Sequence, residues 1–390
     1  MSLLEEGCMS FDFTRRLVWL QERMREQGLD LVVYGSCQNF QYLTGVLADW
    51  RRGVDLGSGA NNVFVPREGE PVLTVDEGLV EKAQGSWIND VRVSKKEEGY
   101  RELVGEVLSS LGIDGGRIGI GDHVWGSTIV ELASIVKEAE FFKAESLMDH
   151  VRMIKDLGEI ERLRKVVELT DRVMETLAPK IREGVTQREL EREVEFQGRA
   201  LGASDVSFHP TAGFVKSGSE ISPNPFIYPK EKGLVPGTSI AFDMGFVMDG
   251  YCSDFGRSFY FGPANAEVRR GYEALHQGIL ETVDKMHSES MRVCDLFPAL
   301  ERTLDGLGYG GYLRARLSNR NLGHNIGVEV HEPPWLSPAY SEPLQKNMVM
   351  ALEPKVWHAG EYYLRVEDLV LVGPRKTEIL TKFDRDLFQM

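Results

Sequence analysis

The chain has no apolar run approaching the roughly 18 residues a membrane helix needs, so a spanning helix is not expected. Its opening, MSLLEEGCMSFDF, lacks a basic region followed by an apolar one, and no secretory signal is expected there. Cysteine is scarce: Cys8, Cys37, Cys252 and Cys294 lie far apart, with no C-x-x-C pair. That excludes a disulfide framework or a zinc ribbon and fits free thiols in a reducing cytoplasm. Positive charge is also short, with 45 Lys and Arg against 60 Asp and Glu, a formal charge of −15. Nucleic acid and anionic membrane surfaces are therefore excluded as main partners. Tandem repeats and low-complexity tracts are absent, which removes solenoids and disordered arrays.

What is present is a globular pattern, and 390 residues are enough for two or three domains. Residues 14–28 read as an amphipathic helix, with Leu17, Leu20 and Met24 on one face and Gly28 as its stop. LDLVVYG, NNVFV, PVLTV and RIGIG read as strands, with helical stretches from Glu97 to Leu111 and Ser127 to Lys137. Alternating strands and helices make residues 1–152 an α/β domain. The charged, amphipathic DHVRMIKDLGEIERLRKVVELTDRVMETL marks the boundary near residue 152. Beyond it, TQRELEREVEFQGRALG opens on a threonine cap and stops at glycine. After Ser207 come strand-rich stretches, one more helical block from Asn265 to Ser290, and further strands. Residues 153–390 therefore read as an α+β domain in which helices cover an antiparallel sheet.

The chemistry concentrates in two acidic hairpins. In SIAFDMGFVMDGYCSDFGRSFYF, two strand-like runs flank Asp249-Gly250, a strong hairpin-turn signal. With those two at the centre of the turn, Asp243 faces Gly256 and Asp254 lies diagonal to Asp243 on the same face. Shifting the turn back by one puts Asp243 directly opposite Asp254. Either register brings two like charges together, which is destabilising unless something neutralises them. An isolated pair would read as one turn cap and one partner for Arg257. A second pattern changes that reading, because MVMALEPKVWHAGEYYLRVEDLVLV places Glu353 and Glu367 opposite one another about a hairpin centred on Gly360. Buried acids among Met, Ala, Leu and Val are costly unless paired or bound to metal. Together with a histidine from GHNIG, they form a hard-oxygen set with one nitrogen donor, able to hold two divalent ions about 3.5–4 Å apart. His123, His150, His209, His276, His287 and His358 have no such company and read as ordinary surface or core residues.

In order and spacing these motifs resemble the pita-bread metallohydrolases: methionine aminopeptidase, aminopeptidase P, prolidase and the non-peptidase creatinase. The family's ligand motifs correspond to Asp243 in DMG, Asp254 in DFGR, His324 in GHNIG, Glu353 in EP and Glu367 in RVED. QNFQYLTG resembles the N-terminal domain of the creatinase and aminopeptidase P branch, and RMIKDLGEIERLRK the helix that opens the catalytic domain. The resemblance implies a creatinase-type α/β domain followed by a pita-bread catalytic domain, and a homodimer. It implies two divalent cations (Mn, Co, Zn or Fe, with Mn favoured). Asp243 would bind one, Asp254 and Glu367 would bridge both, and His324 and Glu353 would complete the second.

Glu353 is then the natural proton acceptor, His331 the donor to a substrate carbonyl or oxyanion, and Arg365 the holder of a carboxylate beside the metals. The expected reaction is hydrolysis of the bond before proline in small peptides by a metal-bridging hydroxide, in the manner of an Xaa-Pro aminopeptidase or dipeptidase. One departure stands out. VKSGSEISPNPF has Asn224 where the family usually has a histidine that contacts substrate, and an amide cannot exchange a proton near neutral pH. That favours a non-peptidase member acting on a small metabolite, either an amide or amidine hydrolase or a lyase. A binding protein that has lost catalysis would be expected to have lost ligands, and all five are here.

Overall fold

The computed structural model describes residues 11–52, 59–95, 99–384 and 388–389. Cys8 and the opening residues lie outside these, as does the start of the helical stretch read from Glu97. The chain divides into two compact units, residues 11–152 and 153–390. Among the described residues no helix is long and apolar enough to cross a membrane.

The first unit begins with α1 (Phe13–Gln27), closed by Gly28 in the left-handed conformation. Then follow β1 (Leu31–Gly35), α2 (Gln38–Thr44), β2 (Asn62–Pro66), β3 (Val72–Asp76), α3 (Val80–Ala83), β4 (Asp90–Ser94), α4 (Tyr100–Ser110), β5 (Gly116–Ile120), α5 (Gly126–Ile135) and β6 (Ala139–Lys143). The six strands form one mixed sheet in the order β4-β3-β2-β1-β5-β6. β1 and β2 are buried along their whole length, as continuous Val-rich runs require when both faces are covered. Helix α6 (Asp149–Met153) leads into the second unit.

There α7 (Leu157–Leu177) starts at an Asp156–Glu159 capping box and α8 (Gln187–Ala200) at a Thr186–Glu189 box, each supplying partners to otherwise orphaned N–H groups. Strands β7 (Asp205–Val206), β8 (Thr211–Lys216), β9 (Thr238–Met244), β10 (Phe246–Met248), β11 (Tyr251–Cys252) and β12 (Phe255–Phe261) follow, and β8, β9 and β12 pair antiparallel. Next come α9 (Ala266–Lys285) and α10 (Leu296–Gly306). The chain closes with β13 (Gly323–Asn325), β14 (Glu332–Trp335), β15 (Val349–Leu352), β16 (Lys355–His358), β17 (Tyr362–Arg365), β18 (Asp368–Leu371), β19 (Glu378–Ile379) and β20 (Phe388–Gln389). Helix-helix-sheet thus occurs twice, and each half has its own core. Val166, Val173, Phe214 and Phe242 lie in one; Leu275, Ile279, Met350 and Val370 lie in the other. This is the pita-bread arrangement of helices over antiparallel strands. α10, β4 and β6 were not among the elements expected, although α10 buries Leu296, Phe297, Ala299, Leu300 and Leu304 at helical spacing.

Candidate metal centre

Both hairpins form as their turn residues dictate. Asp249 and Gly250 take φ of 50° and 80°, the primed turn whose twist matches the strands. Met248 therefore pairs Tyr251, and further along Asp243 pairs Gly256, so the first of the two registers is the one adopted. Asp254 sits in the break between β11 and β12. The other hairpin turns at Gly360, with Lys355 opposite Arg365 and, beyond a break in the ladder, Leu352 opposite Asp368. Glu353 and Glu367 occupy that break. The two halves meet where the Glu367 N–H donates to the Gly256 carbonyl at 2.9 Å. A side chain at 256 would stand 2.5 Å from Arg365 Cδ and 3.0 Å from Glu367 Cβ, so glycine is required there.

Two ion pairs frame the centre without entering it. Arg257 is buried and donates to Asp368 at 2.7 Å, to the Glu367 carbonyl at 2.7 Å and to the Gly256 carbonyl at 2.8 Å. The arginine of DFGR thus holds the aspartate of RVED and sets Asp254 and Glu367 beside each other. Lys155 and Glu332 form the second pair, at 2.9 Å and fully buried.

Inside this frame, one ligand atom from each of Asp243, Asp254 and Glu367 lies within 4.8 Å of the others. A second such group, sharing Asp254, contains His324 and His331. His324 Nδ1 is 3.0 Å from the Asn325 carbonyl. A carbonyl only accepts, so Nδ1 carries the proton and the Nε2 lone pair faces Asp254 Oδ2 at 3.4 Å. His324 Nε2, Asp254 Oδ1 and Glu367 Oε2 are buried without a hydrogen-bond partner. Acceptors turned toward one another in a dry site are what a cation requires and what a protein otherwise avoids.

The electrostatics agree. Burial first, then Asp243 and Glu353, pushes the Asp254 carboxyl well above its ordinary value. Burial and then Asp254 do the same to Glu367. Arg365 ion-pairs with Asp243, with Glu353 at 3.1 Å and with Glu367 at 3.6 Å, and these carboxylates hold it charged against its burial. His331 is exposed, its ring 4.5 Å from that of His324; desolvation and that neighbour push its imidazole below the ordinary value.

Two residues sit differently from the others. The Glu353 carboxylate belongs to neither donor group; Lys355 and Arg365 engage it. Burial opposes its ionisation, but Lys355 and then Arg365 overcome that and hold it at about 2. Asn224 lies exposed on the loop after β8, where its side-chain oxygen accepts from the Phe226 N–H at 3.0 Å in an Asx turn. Its own N–H donates to Ser222 Oγ, so both contacts are local. Lys355 was not foreseen, although its place two residues past Glu353 on the same strand face is a readable signal. Arg257 as a clamp on Asp368, and Lys155, were also missed; a distant partner leaves no local pattern.

Fold and donors together define a metal-dependent hydrolase. The profile of metallopeptidase family M24 matches residues 161–374, and that of the creatinase/prolidase N-terminal domain matches residues 16–154. The chain belongs to family M24 and is an enzyme, a peptidase. It is 27% identical over 366 residues to YkvY of Bacillus subtilis, provisionally named a dipeptidase, covering 93% of this chain and 96% of that one. A dipeptidase structure from Pyrococcus horikoshii superposes with a TM-score of 0.82 at 25% identity, covering 96% of this chain and 100% of that chain. An Xaa-Pro dipeptidase from Bacillus anthracis superposes with a TM-score of 0.83 at 22% identity, covering 97% and 100%, and shows the shared fold.

Proposed function

We propose that the chain is a two-cation Xaa-Pro peptidase that cleaves the bond before proline in small peptides. The observation that carries this is the pair of overlapping donor groups sharing Asp254, with buried acceptors that no side chain satisfies. When bound, divalent cations supply Lewis-acid polarisation and an activated water. Manganese is the favoured metal, since carboxylate-rich donors with one or two imidazoles suit it. Asp243, Asp254 and Glu367 would hold one cation, and Asp254, Glu367, His324 and Glu353 would hold the other. Glu353 reaches it by exchanging its Lys355 contact. Its second carboxylate oxygen would be the proton acceptor beside the activated water. Arg365 keeps three carboxylates aligned, and exposed His331 faces the substrate side, where its ring N–H donates to the carbonyl oxygen as negative charge develops.

The names of its relatives support a dipeptidase substrate class. The acidic surface and the free thiols of Cys37, Cys252 and Cys294 support a cytoplasmic enzyme acting on small peptides, and the family resemblance supports a homodimer. The metabolite reading rested on Asn224; with that oxygen closing a local turn, no observation favours it over the peptidase reading. The test is hydrolysis of Xaa-Pro dipeptides and tripeptides by protein loaded with Mn²⁺ or Co²⁺. Turnover is expected, and its absence in protein carrying two bound ions removes the peptidase reading.

A further inference from the structure

Lys155 is the last place a lysine would be expected. It has no exposure to solvent, and its partner Glu332 is 1% exposed. Its backbone N–H is fixed to the Asn347 carbonyl at 3.0 Å, between α6 and α7. From there the side chain runs under the segment that carries both histidines. Its ammonium donates to Glu332 Oε2 at 2.9 Å. With the Asn325 amide oriented to satisfy its neighbours, the same ammonium donates to the Asn325 side-chain oxygen at 3.1 Å, while the amide nitrogen donates to the Val349 carbonyl. Each contact lies one bond-step from a site histidine. Asn325 follows His324 and supplies the carbonyl that fixes its tautomer. Glu332 follows His331, and its other oxygen accepts from the Glu329 N–H at 3.2 Å. Asn325 and Glu332 also pair across β13 and β14. Gly327 leaves room for the carboxylate: a Cβ there would stand 2.8 Å from Glu332 Oε1.

A buried ion pair is weak evidence for stability, since apolar residues of the same volume often serve as well. Here it has another use. We propose that Lys155 and Glu332 are positioning residues that hold His324 and His331 in register: one ammonium ties the residue after each histidine, so the two rings stay 4.5 Å apart with the His324 Nε2 lone pair turned to Asp254. The metal-related consequence rests on the functional reading above; the geometric one does not.

The test compares the parent with Lys155→Met/Glu332→Gln, which removes both charges together and so avoids stranding one. Ring-nitrogen NMR of the two histidines is recorded on metal-free protein, and Mn²⁺ affinity is measured by calorimetry. The parent is expected to show His324 protonated at Nδ1. The double variant is expected to keep the thermal midpoint within a few degrees, lose the single tautomer, and bind Mn²⁺ about 10–100-fold more weakly, the usual cost of losing a partner behind a ligand. Turnover should fall in kcat with KM little changed. A folded double variant with parental ring shifts and parental Mn²⁺ affinity overturns the proposal. Should the double variant not fold, Glu332→Gln alone, which keeps the side chain's size and leaves Lys155 an acceptor, is read the same way. Because the NMR readout needs neither metal nor substrate, a parent that cleaves no prolyl peptide defeats the peptidase reading while leaving this one to be judged.

Discussion

Two buried charge clusters share the Glu367-Asp368 dipeptide and differ in one respect. Around Asp368 every polar atom of the Arg257 guanidinium has a partner: Asp368, the carbonyls of Gly256 and Glu367, and those of Phe383 and Asp384. Around Glu367, carboxylates crowd about the single Arg365 guanidinium, 3.6 Å from Glu367, and Asp254 Oδ1, His324 Nε2 and Glu367 Oε2 have no hydrogen-bond partner. Adjacent residues of one strand end thus serve opposite purposes. The satisfied cluster is architecture, fixing two hairpins against each other. The unsatisfied one stores electrostatic cost that a cation repays.

The sharpest way to break this comparison is to remove one acid from each cluster. Asp254→Ala is expected to abolish activity and cut divalent-metal affinity by more than the ~10–100-fold typical of an outer partner, while leaving the metal-free protein as stable or more so, because a like charge is gone. Asp368→Ala is expected to destabilise the protein by about 3–5 kcal/mol, the usual cost of stranding one member of a buried pair. Urea unfolding with and without Mn²⁺ separates the two. Equal destabilisation of both metal-free variants would dissolve the distinction.

The pH dependence sharpens it further. In the metal-free protein Asp254 and Glu367 titrate above their ordinary range, so the folded state holds protons the unfolded state has released. Their contribution is present at acid pH and is lost as pH rises above the ordinary carboxyl range of about 4. Glu353, held at about 2, works the other way: its contribution is present above that range and is lost only as pH falls toward 2. Metal-free protein should therefore lose stability as pH rises above about 4, and Mn²⁺ should raise the melting temperature more as pH rises. A metal-free stability that increases as pH rises above about 4 would contradict the crowding of these carboxylates.

Much of this was legible in the sequence, and the part that was not has a physical reason. Local rules carried the hairpins: Asp249-Gly250 marked the turn and left two registers, of which the structure adopts Asp243 opposite Gly256, and Gly360 marked the other hairpin. Short motifs, met in order, singled out four acids and one histidine as the expected ligands. Spacing could not reveal that Arg257 clamps Asp368, 111 residues away, or that Lys155 reaches Glu332, 177 residues away. Such pairs exist only once the two helix-sheet halves have packed. Asn224 was read as a change in the site, and the structure adds that its side-chain oxygen closes a turn of the loop it sits on.

A smaller effect is expected at Lys355. Its ammonium lies against Glu353 and offers the charge that a second cation would bring. Lys355→Met should tighten binding of the second divalent ion by about tenfold, roughly 1.4 kcal/mol, seen as a lower second dissociation constant by calorimetry. A weaker second site would mean that Lys355 orients Glu353 for the metal rather than competing with it.

The smallest effect is expected at Asn224. Its oxygen holds the Phe226 N–H, and the Phe226 ring packs 4.8 Å from that of Tyr363, two residues before Arg365. Asn224→Ala removes one exposed hydrogen bond, so it should cost about 0.5–1.5 kcal/mol of stability at most and leave Mn²⁺ affinity unchanged. Asn224→Asp keeps the acceptor and should be silent in both. If Asn224→Ala instead lowers kcat on Xaa-Pro peptides while Asn224→Asp does not restore it, the amide nitrogen is being used by the substrate. The loop would then belong to the site, and the contrast between satisfied and unsatisfied clusters would need a third, substrate-borne partner.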